Sequence, residues 1–137
     1  MPRIVAIDYG LKRSGVAVTD PLQLVATALD AVETPNLIEY LKRYLQREEV
    51  EAFVIGLPLD LDSKETDASF RARNFAQQLS KEFGKPIHWI DERFTSKIAS
   101  QVLIASGLPK KKRKVKENID KISAVIILQN YLENSKK

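Results

Sequence analysis

Apolar and polar positions along this chain switch between two periods, and the switches mark its elements. Residues 3–8 and 14–19 are short apolar runs joined by a glycine-bearing turn, which reads as two paired strands. A third strand is expected within 22–33, where Leu24, Val25 and Ala26 run toward Leu29 and Val32. Thr34-Pro35 then has the form of a helix start, with Thr as N-cap and Pro at the first helical position. Leu37, Leu41, Tyr44 and Leu45 follow on one helical face. Ala52 to Ile55 is apolar throughout, as expected of a strand buried on both sides, and Gly56-Leu57-Pro58 ends it.

The second half repeats the strand–helix alternation. Asp60 to Thr66 is polar and loop-like. Ala68, Ala72, Phe75, Ala76, Leu79 and Phe83 predict a helix closed by Gly84 and Pro86, and Ile87 to Ile90 a strand. Thr95 is expected to cap a short helix stopped by Gly107 and Pro109. A basic loop follows. Asn118 is then expected to cap a last, well-buried helix from Ile119 to about Glu133. The order β-β-β-α-β-α-β-α-α predicts an α/β fold with a three-strand antiparallel meander extended by two parallel strands. At 137 residues the expectation is one domain over 1–137.

Composition adds little until charge is located. Hydrophobic content is 44% and charged content 29%, ordinary for a globular chain. There is no cysteine, so disulfide and thiolate chemistry are excluded, in keeping with a reducing compartment. No apolar run approaches the ~18 residues of a membrane span, and the N-terminus does not resemble a secretory signal. A cytoplasmic protein without a membrane partner is expected. The net charge is +4, yet removing Lys110, Lys111, Lys112, Arg113, Lys114 and Lys116 would leave −2. The basicity belongs to one segment, suited to phosphate contact or simply to a solvated loop.

Three acids are the candidate chemistry. Asp8 closes the first apolar run, where a charge is costly unless hydrogen-bonded, paired or metal-bound. Glu92 lies just past the last strand, and Asp120 is expected in the first turn of the last helix. Ligands of open α/β sheets gather at strand carboxyl ends. Mg²⁺ and Mn²⁺ prefer oxygen ligands, and a pair of such ions ~4 Å apart can orient a water in phosphodiester cleavage. Each acid also has a local explanation. Asp8 suits an Asx turn, Asp120 a helix dipole, and Asp91-Glu92-Arg93 a surface ion-pair cluster. Asp60, Asp62, Glu65 and Asp91 are alternates. His88, the single histidine, and Trp89 fall on opposite faces of their strand and read as structural. Tyr9 suits either base stacking or turn packing, and Arg71 and Arg73 solvation.

Asp8-Tyr9-Gly10 with Gly15-Val16-Ala17, Val54 to Leu59, Asp91 to Ser96, and Asp120 to Leu128 together resemble the YqgF/RuvX family of RNase H-like proteins. That family is described as Holliday junction resolvase-like and as the nuclease maturing the 5′ end of pre-16S ribosomal RNA. The resemblance implies an RNase H-like fold, a five-stranded mixed sheet flanked by helices. It also implies that Asp8, Glu92 and Asp120 are the catalytic, metal-binding carboxylates, with Arg93 as a phosphate or carboxylate partner. Gly56 and Pro58 would shape the loop beside the site. Two departures stand out. Related junction resolvases carry an acid on the fourth strand, where this chain has Gly56-Leu57-Pro58. The Asp62-Ser63-Lys64-Glu65 turn also lacks the glycine common in the family.

The combined expectation is a metal-dependent nuclease. Asp8, Glu92 and Asp120 would hold one or two Mg²⁺ or Mn²⁺ ions that direct a water at the scissile phosphorus. Lys12, Arg13, Arg93 and the 110–116 segment would neutralise substrate phosphates. Precursor rRNA leads branched DNA as substrate, because symmetric junction cleavage requires two sites and nothing in the chain specifies a dimer over a monomer. Pro109 to Val115 is identical to a well-known nuclear-import signal, but its position between helices beside Asp120 favours phosphate contact. Two other classes compete. A sugar-kinase-like phosphotransferase would need a second domain for which there is no room, and a non-catalytic nucleic-acid module would use the basic segment alone.

Overall fold

The computed structural model describes residues 2–58, 62, 64–91 and 112–135, the side chains of 112–118 and 135 excepted. The first two apolar runs form β1 (Arg3–Asp8) and β2 (Arg13–Thr19), antiparallel, with Asp8 opposite Gly15. The third strand, β3 (Ala26–Glu33), pairs antiparallel with β2. It starts late in the expected window because Asp20 captures the amides before it. Its carboxylate accepts from Leu22 N at 3.3 Å and from Leu24 N and Val25 N at 2.8 Å. Those bonds, Val25's first, hold the Asp20 carboxyl below the usual aspartate value.

Two parallel strands complete the sheet. β4 (Val50–Leu57) lies beside β1 and β5 (Ile87–Asp91) beside β4, in the order β3-β2-β1-β4-β5. This is the expected meander with two parallel additions. The topology brings the carboxyl ends of β1, β4 and β5 to one edge.

The two faces are dressed differently. Val5, Ile7, Val16, Phe53 and Ile55 are large and pack beneath α1 (Leu37–Arg47) and α2 (Asp67–Phe83). On the other face Ile4, Ala6, Ala17 and Val54 receive Ala124, Ile127 and Leu128 of α3 (Lys112–Ser135). The two alanines beneath it let that helix sit close to β1 and β2. Alternation sends Tyr9 to the first face, where it stacks on Phe75 with ring centroids 4.7 Å apart. His88 and Trp89 divide as expected: His88 meets Tyr131 of α3, and Trp89 lies under Arg73 of α2. Arg73 also pairs with Glu65, so it is not merely solvated.

α2 follows its sequence signals closely. Thr66 and Ser69 form a reciprocal capping box, and Gly84 ends the helix at φ 63°, a left-handed conformation that glycine adopts without steric cost.

Two helix starts differ from expectation. Thr34 does not cap α1: Thr34–Asn36 is a single 3-10 turn and the α-helix begins at Leu37. The Thr34 hydroxyl instead donates to Gly10 O at 2.6 Å and meets buried Ser14 Oγ at 2.9 Å, while Ser14 Oγ accepts from Gly10 N. Thr34 N also donates to Lys12 O. The residue therefore pins the β1–β2 turn. The second difference is α3, which starts at Lys112 rather than at an Asn118 cap. No glycine or proline follows Pro109, and lysine, arginine and glutamate are good helix formers, so nothing stops the helix from extending backward. Lys112, Arg113, Lys114 and Lys116 thus lie on helical backbone, not in a loop. Asp60, the helix expected from Thr95, and the acid and bases at Glu92, Arg93, Lys110 and Lys111 lie outside the described residues.

Thr34→Val removes the hydroxyl that closes the turn and strands polar groups of Ser14 and Gly10. The expected cost is about 1–3 kcal/mol of unfolding free energy, read by urea denaturation. A midpoint equal to wild type contradicts the pinning role.

Candidate active site

Asp8 ends β1 at the edge shared by the parallel strands, with its side chain on the α3 face by alternation from Ile4 and Ala6. Directly across the hairpin is Gly15. A Cβ built on Gly15 would lie 1.9 Å from the carbonyl oxygen of Asp120 and 2.5 Å from its carbonyl carbon. The α3 backbone therefore rests on β2 at the point opposite Asp8. Paired residues in an antiparallel ladder stand about 4.5–5.5 Å apart at Cα. Two of the three expected acids, separated by more than a hundred positions in sequence, are thus brought to one place. Only a residue without a side chain at position 15 allows it.

The observed helix start changes the reading of Asp120. It lies in the third turn of α3, and the first turn holds no acidic residue, so the helix dipole does not account for it. Its neighbour is Arg13. Nε of Arg13 lies 3.9 Å from Asp120 Oδ2, and both side chains are only 18% exposed, so this pair is partly withdrawn from water. Arg13 and Gly15 share the α3 face of β2, which sets the guanidinium beside the Asp120 carboxylate. One turn after Asp120, Ser123 is buried, with no hydrogen-bond partner for its hydroxyl among the described residues.

Other expected residues sit as follows. Lys12 is exposed on the β1–β2 turn and Asp91 is exposed at the end of β5. Glu65 is engaged with Arg73. No group of three or more acidic or histidine ligands occurs among the described residues, which exclude Glu92. The eight helical residues before Asp120 correspond to about 12 Å of α3 carrying the basic sequence. Two grooves lined by described residues lie elsewhere: one of about 470 Å³ along Tyr40, Arg43, Gln46 and Arg47, another of about 440 Å³ by Ile38, Gln78, Lys81 and Glu82. Neither includes Asp8, Asp120 or Arg13. Sequence reasoning named Gly15 only within a family motif and gave it no structural role. The available signal was a glycine placed opposite Asp8 in hairpin register.

Aspartate carboxylates are the donor type that fits a hard divalent cation such as Mg²⁺ or Mn²⁺. Asp8 and Asp120 would hold it, with Glu92 as the expected third acid.

Comparison with known proteins shows the family and the fold. A family model described as "RuvX: Holliday junction resolvase" matches residues 2–134. A protein of Porphyromonas gingivalis named "Putative pre-16S rRNA nuclease" is 47% identical over 135 residues, spanning 98% of each chain. One of the same name from Amoebophilus asiaticus is 46% identical over 138 residues, spanning 100% of this chain and 98% of its own. Among solved structures, T. thermophilus RuvC in complex with a Holliday junction substrate superposes with a TM-score of 0.57 at 16% identity, over 99% of this chain and 96% of that one. That likeness shows the RNase H-like fold.

Gly15→Ala tests the contact. Alanine is ordinarily the better residue within a strand, but here its methyl meets helix backbone. A loss of about 1–3 kcal/mol by urea denaturation is expected. Unchanged or increased stability contradicts the close approach.

Proposed function

The chain belongs to the RuvX family described as Holliday junction resolvase, and from that premise we propose that it is a metal-dependent nuclease that trims the 5′ end of the 16S rRNA precursor. The observation that carries the reading is the meeting of Asp8 and Asp120 across Gly15. Relatives at 47% and 46% identity bear the pre-16S rRNA nuclease name. The reading takes residues 1–137 as one nuclease domain working in the cytoplasm. No described helix is long and apolar enough to cross a membrane.

Asp8, Asp120 and Glu92 would hold one or two Mg²⁺ or Mn²⁺ ions. Bound there, such ions supply Lewis-acid stabilisation of the charge that builds on the phosphate and its leaving oxygen. The rest falls to the chain. Asp8 and Asp120 orient the site from two rigid elements, a strand end and a helix braced on a strand. Lys12, Arg93, Lys110, Lys111 and the basic turns of α3 at Lys112, Arg113, Lys114 and Lys116 neutralise flanking phosphates, which makes binding fall steeply with salt. Water attacks phosphorus, the bond from phosphorus to the leaving oxygen breaks, and that oxygen takes up a proton. The family description favours a second reading, cleavage of branched DNA by a homodimer.

Purified full-length protein is expected to cleave a 5′-extended 16S precursor in Mg²⁺ or Mn²⁺ and to stop in EDTA. Asp8→Asn and Asp120→Asn should each lower the rate about 100-fold or more, with far-ultraviolet circular dichroism unchanged. Asp8→Asn cleaving at the wild-type rate removes that residue from the mechanism. Cleavage of a four-way junction in preference to the precursor selects the second reading.

A further inference from the structure

We infer that Arg13 is the resident counterion of the carboxylate pair and competes with the divalent cation for Asp120. The inference rests on the metal-nuclease reading above and deepens it by giving the site a built-in regulator of metal affinity.

Three observations carry it. The Arg13 guanidinium approaches Asp120 Oδ2 to 3.9 Å, with both side chains largely shielded. Arg13 stands two residues before Gly15 on the same face of β2, so the strand that admits α3 also aims the cation at the acid on α3. Its backbone is held as well: the β1–β2 turn is pinned through Gly10, Ser14 and Thr34, and Lys12 O accepts from Thr34 N. The guanidinium is therefore presented by a rigid turn, unlike a lysine or arginine on a solvated helix face.

The physics sets opposite signs for two alternatives. Acids gathered at one edge repel each other, and shielded charges are costly without compensation. A fixed cation relieves that repulsion in the metal-free protein. The same cation opposes a second one at the same oxygen, so it weakens metal binding. A residue that merely held the Asp120 side chain in position would strengthen metal binding. Arginine suits the counterion role because it stays charged at every accessible pH.

The experiment measures Mn²⁺ binding to the full chain by electron paramagnetic resonance, with thermal melts in EDTA and in saturating Mn²⁺. Wild type, Arg13→Gln, Arg13→Lys and each in an Asp120→Asn background are compared. Arg13→Gln should bind Mn²⁺ roughly tenfold more tightly, melt earlier in EDTA, and recover in Mn²⁺. Arg13→Lys should stay near wild type in both respects. In the Asp120→Asn background the effect of Arg13→Gln on both readouts should shrink. An Arg13→Gln protein that folds only with Mn²⁺ supports the inference, and one that folds in neither condition overturns it. Equal or weaker Mn²⁺ binding by Arg13→Gln, with wild type binding normally, overturns it alone. Wild type that takes up no Mn²⁺ overturns the metal reading together with it.

Discussion

The contact between the backbone of α3 and Gly15 of β2 is the constraint on which the site depends. Every other part of the arrangement tolerates some play. Strand ends shift by a residue and exposed lysines move, but a helix resting on a strand with no side chain between them has one height above the sheet. That height determines whether the carboxylate of Asp120 reaches the edge where Asp8 ends β1. The small residues below, Ala6 and Ala17, continue the same close track, and Ala124, Ile127 and Leu128 fill it. The opposite face has the contrary build, with Phe53, Ile55, Phe75 and Leu79 separating helices from sheet. One face of the sheet is packed for bulk and the other for proximity, and the candidate chemistry lies on the latter.

Charge is arranged along the same axis. Asp8 and the backbone of Asp120 flank Gly15 at the sheet edge, and the basic sequence occupies the helical turns that precede Asp120. A single helix thus links a carboxylate to a cationic stretch about 12 Å long. Arg13 stands beside Asp120, its guanidinium 3.9 Å from the carboxylate. Its placement explains how acidic groups can assemble at a partly shielded edge without a prohibitive electrostatic cost.

Much of this was legible in the chain. Continuous apolar runs marked β1, β2 and β4, and alternation assigned His88 and Trp89 to opposite faces. The Gly84 and Pro86 punctuation closed α2, and the three-strand meander with two parallel additions followed from element order. What escaped was context. Thr34 carries the local signature of an N-cap, but its hydroxyl is claimed by Gly10 and Ser14, partners 24 and 20 residues away in sequence. Asn118 also resembles a cap, but lysine- and arginine-rich sequence propagates helix as readily as it forms a loop, so the true start lies upstream. The dipole reading of Asp120 vanished with the new boundary, because the residue lies in the third turn of α3. The importance of Gly15 depends on a helix more than a hundred residues away, which no local pattern encodes.

The most direct measurement is a crystal structure of the full chain grown with Mn²⁺, with anomalous differences recorded at the manganese edge. The account predicts a peak within ligand range of both the Asp8 and Asp120 carboxylates, on the α3 side of Gly15. A well-occupied manganese elsewhere, or an Asp120 carboxylate turned away from the edge where Asp8 stands, contradicts it.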